Sequence, residues 1–241
     1  MKANVVTVNE CGPDVYWITM EPERSVPKYK PGQFLHLTVD EFDPSDGYWP
    51  ESRVFSIASA WDPRKVEIVY SVKGRYTALM KEKIAPGSTV WLKLPYGNFV
   101  VDSGSGGVQD IVLIAGGTGV SPFLPLLGNL HGGLTRDGHI RLHYGARENR
   151  MLIGLKLIGD LTARGLLSCT VSVEDEEPEQ SVSGIRYETG RLNMEKIFEM
   201  SRDLENPAFY LSGPPAMIRS FRDSLLARGV GSDRIRIDEW E

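Results

Sequence analysis

Ile111-Val112-Leu113-Ile114-Ala115-Gly116-Gly117-Thr118-Gly119-Val120-Ser121-Pro122 is the stretch on which the fold turns. It opens on an unbroken apolar run, the pattern of a strand buried on both faces. Glycines interrupt the run, and helical patterning follows over residues 122–130. At a strand-to-helix turn, glycines let backbone amides approach a phosphate, and the helix N-terminus favours negative charge. The common GxGxxG spacing is absent, so composition leaves both a tight structural turn and a pyrophosphate site open.

Downstream the same alternation continues. Strands are expected over residues 140–144, 168–173, 208–212 and 234–237, and helices over 152–164, 194–201 and 216–228. Strands alternating with helices predict an α/β doubly wound parallel sheet. Tyr210-Leu211-Ser212-Gly213-Pro214-Pro215-Ala216-Met217 is a second strand–turn–helix passage, its prolines setting the turn and the helix start. A plain connection would look the same. Its place at the same sheet edge favours a ligand loop, because such sheets bind ligands beyond the carboxyl ends of their strands.

Upstream the period changes. Residues 5–8, 15–20, 34–39, 53–59, 66–72 and 89–94 read as short strands between turns, which predicts an all-β barrel or sandwich. One helix is expected over residues 76–83. The Gly/Ser-rich run at 102–107 reads as a linker, dividing the chain into domains 1–102 and 108–241. On the strand from Arg53, residues 53 and 55 share a face and Ser56 lies opposite. An arginine there can pair with a phosphate bidentately, and a flat aromatic such as Phe55 can stack on a ring system. Gly74-Arg75-Tyr76-Thr77 opens the short helix and is a second possible anion site.

Composition narrows the chemistry. A chain of 241 residues with formal net charge −5 implies no nucleic-acid or anionic-membrane partner. Cys11 and Cys169 are the only cysteines, too few for an iron–sulfur cluster, and no CxxC or paired-His spacing suggests zinc. Residues 1–6 read as a strand rather than a signal peptide, and no run reaches the roughly 18 apolar residues of a membrane span. A cytoplasmic location is therefore expected.

In this order the segments resemble those of the ferredoxin–NADP reductase superfamily, from about Pro31 to the C-terminus, in a short form without its own iron–sulfur domain. Arg53, Phe55 and Ser56 match its Arg-x-Tyr-Ser motif, and Gly74 with Thr77 its flavin-phosphate motif. Pro95-Tyr96-Gly97-Asn98-Phe99 matches the turn that closes its barrel. Gly116 to Pro122 match its dinucleotide loop, and Ser212 to Met217 its Cys-Gly-Pro-Pro-x-Met loop.

The resemblance implies an N-terminal antiparallel β-barrel that binds FAD along Arg53-Val54-Phe55-Ser56. Arg53 would hold the pyrophosphate, Phe55 would stack on the isoalloxazine and Ser56 would lie near flavin N5. Ser71 and Val72 would flank the ribityl chain, and the turn Gly74, Tyr76 and Thr77 would meet the phosphates. It implies a C-terminal domain for NADH or NADPH. There Gly117, Thr118, Gly119, Ser121 and Pro122 would lie at the pyrophosphate and Arg147 near the adenine ribose. Ser212, Gly213, Pro214, Pro215 and Met217 would form the loop beside the nicotinamide. Glu239 or Trp240 would shield the flavin. Hydride would pass from nicotinamide C4 to flavin N5, stacked about 3–3.5 Å apart, with Ser56, Ser212 and Glu239 nearest the transfer.

The implied activity is an NAD(P)H-dependent flavoprotein reductase. It would pass electrons to a separate acceptor: an iron–sulfur protein such as a ferredoxin, an oxygenase or a flavodoxin. A free-flavin reductase and an electron-transfer subunit of a larger complex are the alternatives. Two positions depart from the pattern. Phe55 lacks the phenol of the family tyrosine, a loss on the order of 1 kcal/mol of flavin affinity, and Ser212 replaces a cysteine. Arg147 and Arg191 would suit a 2′-phosphate, but Val173 and the acidic run Glu174-Asp175-Glu176-Glu177 oppose it, so NADH is expected.

Overall fold

The computed structural model describes residues 1–101 and 110–238; the linker expected at 102–107 lies outside them, as do Glu239 and Trp240. Two six-stranded sheets organise the chain. The first holds β1 (Lys2–Gly12), β2 (Val15–Pro22), β3 (Phe34–Thr38), β4 (Arg53–Ser56), β5 (Val66–Ser71) and β6 (Thr89–Tyr96). Its order is β4-β3-β6-β1-β2-β5, antiparallel throughout. A bridge between Ile57 and Ile68, beside an Ala58 N–H to Glu67 carbonyl bond of 2.8 Å, joins β4 to β5 and closes the sheet into a barrel. Alternation does the filling: Val66, Ile68 and Tyr70 of β5 meet Ile18 and Met20 of β2 inside. Helix α1 (Arg75–Lys83) adds Tyr76 and Met80 to that core.

The second sheet holds β7 (Ile111–Gly116), β8 (Ile140–Ala146), β9 (Ser168–Val173), β10 (Arg186–Thr189), β11 (Ala208–Ser212) and β12 (Ile235–Ile237). All pairs are parallel, in the order β10-β9-β8-β7-β11-β12. Helices α2 (Leu124–His131), α3 (Leu155–Ala163), α4 (Met194–Met200) and α5 (Pro215–Ala227) connect the strands. Every residue of β7 is buried. Ile111, Leu113 and Ala115 pack with α2 and α3, whereas Val112 and Ile114 pack with α4 and α5. Both faces are therefore covered, as a doubly wound sheet requires.

Three details differ from the sequence reading. Gly117–Phe123 forms a 3-10 helix before α2, so Pro122 sits inside that tight turn and the α-helix begins at Leu124. Gly154, at φ 74°, breaks the segment before α3 and delays its start to Leu155. Strand β10 had no apolar signal: Arg186-Tyr187-Glu188-Thr189 is mostly polar and, among the described residues, pairs only with β9, where one side of an edge strand stays wet.

The two sheets share one apolar seam. Val15, Ala58, Val69, Phe99 and Val101 cluster with β7, the 3-10 helix and α2. The Phe99 ring lies 6.1 Å from Phe123 and 5.9 Å from Tyr210, measured between centroids. Among the described residues, no helix is long and apolar enough to cross a membrane.

Asp110 ties the start of the second sheet together. Its buried carboxylate accepts from the amides of His139 (2.6 Å) and Glu205 (2.8 Å) and lies 3.2 Å from His139 Nδ1. Burial pushes the carboxyl up, but these donors together hold it below the usual carboxylate value. Asp110→Ala is expected to lose about 2–3 kcal/mol in urea unfolding near neutral pH, because two amides lose their acceptor. A carboxyl held low stabilises the fold above its unfolded value, so the difference should shrink as the pH falls below about 4. A constant difference down to acid pH would count against this role.

Candidate active site

Strand β4 carries Arg53-Val54-Phe55-Ser56 to the side of the barrel that faces the second sheet. It pairs with β3 through Phe34 opposite Ser56 and Leu35 opposite Phe55. These four residues line a cleft of about 270 Å³ with Phe34, Val69, Tyr70, Ser71, Lys73 and Thr77 of the barrel. Thr118 and Ser121 reach the same cleft from the loop after β7. The cleft thus draws on both domains. Aromatic rings form part of its wall, five serine and threonine hydroxyls join them, and Arg53 and Lys73 supply the cations. That donor set suits a planar ring system carrying a phosphate tail.

The cationic end is built in layers. Arg53 donates from Nη1 to the Ser52 carbonyl (2.9 Å) and from Nη2 to Glu51 Oε1 (2.8 Å). Its guanidinium lies 4.6 Å from the centroid of the Tyr76 ring. Tyr76 is only 4% exposed; its hydroxyl donates to the Glu51 carbonyl (2.8 Å) and accepts from the Val39 N–H (3.2 Å). Tyr76 is therefore a platform for Arg53 and does not line the cleft. The Thr77 hydroxyl accepts from the N–H groups of Lys73 (2.9 Å) and Gly74 (3.1 Å) and donates to the Gly74 carbonyl (3.0 Å). Thr77 and the Gly74 amide, read from sequence as phosphate donors, thus serve each other. The amides of Arg75 and Tyr76 remain as the first-turn donors that no helix can satisfy internally. A Cβ added at Gly74 would meet nothing within 4 Å.

On the other side, two loops meet backbone to backbone. A Cβ on Gly119 would stand 2.5 Å from the carbonyl carbon and oxygen of Ser212. One on Gly116 would stand 2.8 Å from Pro214 Cδ and 3.0 Å from Met217 Sδ. Gly213, at φ 143°, lies against Gly116 in the same way. The sheet grows outward in both directions from β7 and β11, so this contact sits at the topological switch point. Ser121 donates to the Thr118 carbonyl (2.7 Å) and fixes the turn between them.

Ser212 is fully buried and donates to Asp238 Oδ2 at 3.2 Å. Asp238 ends the described chain, its N–H bonded to the Leu211 carbonyl at 2.9 Å. Sequence reading passed over Asp238, although its place just after the last strand was a usable signal. Phe34, Tyr70 and Lys73 were passed over too. Tyr70 looked like ordinary core; burial pushes its phenol up to about 12, so it stays neutral. Val72 is half-buried against the barrel core. Pro215 opens α5, and Pro122 is buried within its 3-10 turn.

Arg147 stands apart from the cleft, beyond β8. Its Nε lies 3.7 Å from Asp175, and Arg191, beyond β10, donates from Nε to Glu174 at 2.6 Å. The acidic run after β9 thus partners both arginines at the sheet's carboxyl edge.

Residues 113–223 match the oxidoreductase NAD-binding domain family. The chain is 28% identical, over all of its length, to the reductase component of propane 2-monooxygenase from Rhodococcus jostii, and covers 63% of that protein. It spans 59% and 67% of the reductase components of propane 2-monooxygenase from Mycolicibacterium smegmatis and Mycolicibacterium goodii. In fold it is similar to the flavohem-like FAD/NAD-binding domain of nitric oxide dioxygenase from Vibrio cholerae, with TM-score 0.76 and 21% identity over 98% of this chain and 97% of that one.

The glycines of the site separate packing from binding. Gly119→Ala is expected to cost about 1–3 kcal/mol, since its methyl meets rigid backbone. Gly74→Ala, whose methyl enters open space from an extended backbone, should leave thermal unfolding nearly unchanged. Equal shifts in melting temperature for the two variants would refute the close approach of the loops.

Proposed function

Given a chain with the two-domain fold of the ferredoxin reductase-like FAD/NAD-binding proteins, we propose that it is an NAD(P)H-dependent flavoprotein reductase that delivers electrons to a separate acceptor. The observation that carries this reading is the shared cleft. Arg53 to Ser56 of the barrel and Thr118 and Ser121 of the nucleotide-type loop open onto one space. The names of the relatives, reductase or electron transfer components of oxygenases, support an oxygenase or its iron–sulfur protein as acceptor. A flavodoxin would fill the same role.

When bound, FAD supplies the hydride acceptor and releases the electrons singly or as a pair. Arg53, Lys73 and the first-turn amides of α1 hold its phosphates. Phe55 offers a ring face, while Ser56 and Ser71 supply hydroxyls along the wall. Gly117 to Ser121 cradle the dinucleotide pyrophosphate. Gly213 to Pro215, pinned against Gly116, give the nicotinamide a fixed wall, and the Asp238–Ser212 bond holds the strand end behind it. No acid–base triad is required. A free-flavin reductase is the second reading, favoured by Phe55, which lacks a phenol to hold a prosthetic flavin.

Anaerobic titration of the purified protein with NADH and then NADPH is the direct test. The expected result is bleaching of bound flavin, faster with NADH. Protein that holds no flavin and oxidises neither nucleotide with added FAD, FMN or riboflavin would exclude both readings.

Nucleotide choice follows from the carboxyl edge. Glu174 and Asp175 already neutralise Arg191 and Arg147, leaving little for a 2′-phosphate. Glu174→Gln together with Asp175→Asn is expected to lower KM for NADPH by roughly fivefold while leaving that for NADH nearly unchanged. Equal changes for both nucleotides would remove these residues from the ribose site.

A further inference from the structure

The loop leading into β4 places a carboxylate between Arg53 of the cleft and Arg75 at the start of α1. Glu51 reaches Arg53 through Oε1 at 2.8 Å and Arg75 through Oε2 at 3.5 Å. Both terminal nitrogens of Arg53 are engaged, Nη1 by the Ser52 carbonyl and Nη2 by Glu51. Bidentate pairing of a guanidinium with a phosphate needs two parallel N–H groups. The Glu51 carboxylate occupies one N–H of Nη2, meets a phosphate with like charge at the same guanidinium, and also draws on the cation at the start of α1. Its backbone is held separately, since the Glu51 carbonyl accepts from the buried Tyr76 hydroxyl at 2.8 Å. Tyr76 in turn carries the Arg53 guanidinium over its ring. One buried phenol therefore fixes the positions of both the cation and its competitor.

We propose that Glu51 is a built-in anion that competes with the flavin phosphates for Arg53 and Arg75, and so sets how readily a phosphorylated flavin leaves the barrel. The inference rests on the flavin reading of the cleft. It adds a determinant that neither the Arg53 motif nor Phe55 contains. Glu51, Arg53 and Arg75 are all substantially exposed, so the carboxylate is exchangeable rather than a permanent plug, and its ion pairs weaken with salt. A phosphate entering here shares or displaces Glu51 and meets its charge at short range. A flavin without phosphate meets no such competition.

The test compares three probes on the full chain: FAD, FMN and riboflavin, with affinities measured by quenching of flavin fluorescence at low salt. In Glu51→Gln, FAD and FMN are expected to bind about fivefold tighter and riboflavin equally well. The gain should fade at high salt. Glu195→Gln, on the exposed side of α4, makes the same change in net charge and is expected to leave all three affinities unaltered. Equal tightening of all three flavins, no change, or weaker FAD and FMN binding in Glu51→Gln would overturn the competition. The last outcome would mean that Glu51 orients Arg53 for phosphate. If the unaltered protein binds none of the three flavins, the flavin reading itself fails and this inference falls with it.

Discussion

The seam between the two sheets is the constraint on which the site depends. Phe99 stands between Phe123 and Tyr210, and Val15, Ala58 and Val69 of the barrel share their cluster with the second sheet. Burying these side chains removes apolar area that neither domain covers alone. The same contact sets β4 and β5 against the loop after β7, so Thr118 and Ser121 face Arg53 to Ser56. A cleft with donors from both sides exists only while that seam holds. This gives Phe99 a physical role at the end of its turn: it wedges the barrel against the sheet.

Within that frame, local bonds decide which groups remain for a ligand. At α1 the Thr77 hydroxyl satisfies the amides of Lys73 and Gly74, which leaves the next two amides as first-turn donors with no partner inside the helix. Tyr76 is committed to the loop carbonyl beneath Arg53. At the switch point, glycines at 116, 119 and 213 let the loops after β7 and β11 touch, where any side chain would hold them apart. The barrel side of the site is thus tuned by charge and hydrogen bonding, the nucleotide side by backbone approach.

Much of this was legible in the residues. Unbroken apolar runs with helices between them announced the parallel sheet, and short alternating runs between turns announced the barrel, because burial on two faces or one leaves different periods. For Arg53, Phe55 and Ser56, spacing said only which residues share a face of the strand; their expected roles came from the family resemblance. Strand β10 was not, because an edge strand needs little apolar signal. Asp238 and Tyr70 were missed because their roles come from neighbours distant in sequence, Ser212 in one case and Tyr16 and the cleft in the other.

By itself the sequence determined the periods, the turns and the residue types able to meet phosphate, ring and nucleotide, because those follow from local geometry and chemistry. The tertiary structure alone decided which of them act together. It placed Glu51 on Arg53 and Arg75, turned Thr77 back onto its own loop, buried Ser212 against Asp238 and partnered Arg147 and Arg191 with the acidic run. Each is an interaction between groups brought close by packing, and the strength of a charge or a hydrogen bond depends on that closeness, which residue order does not state.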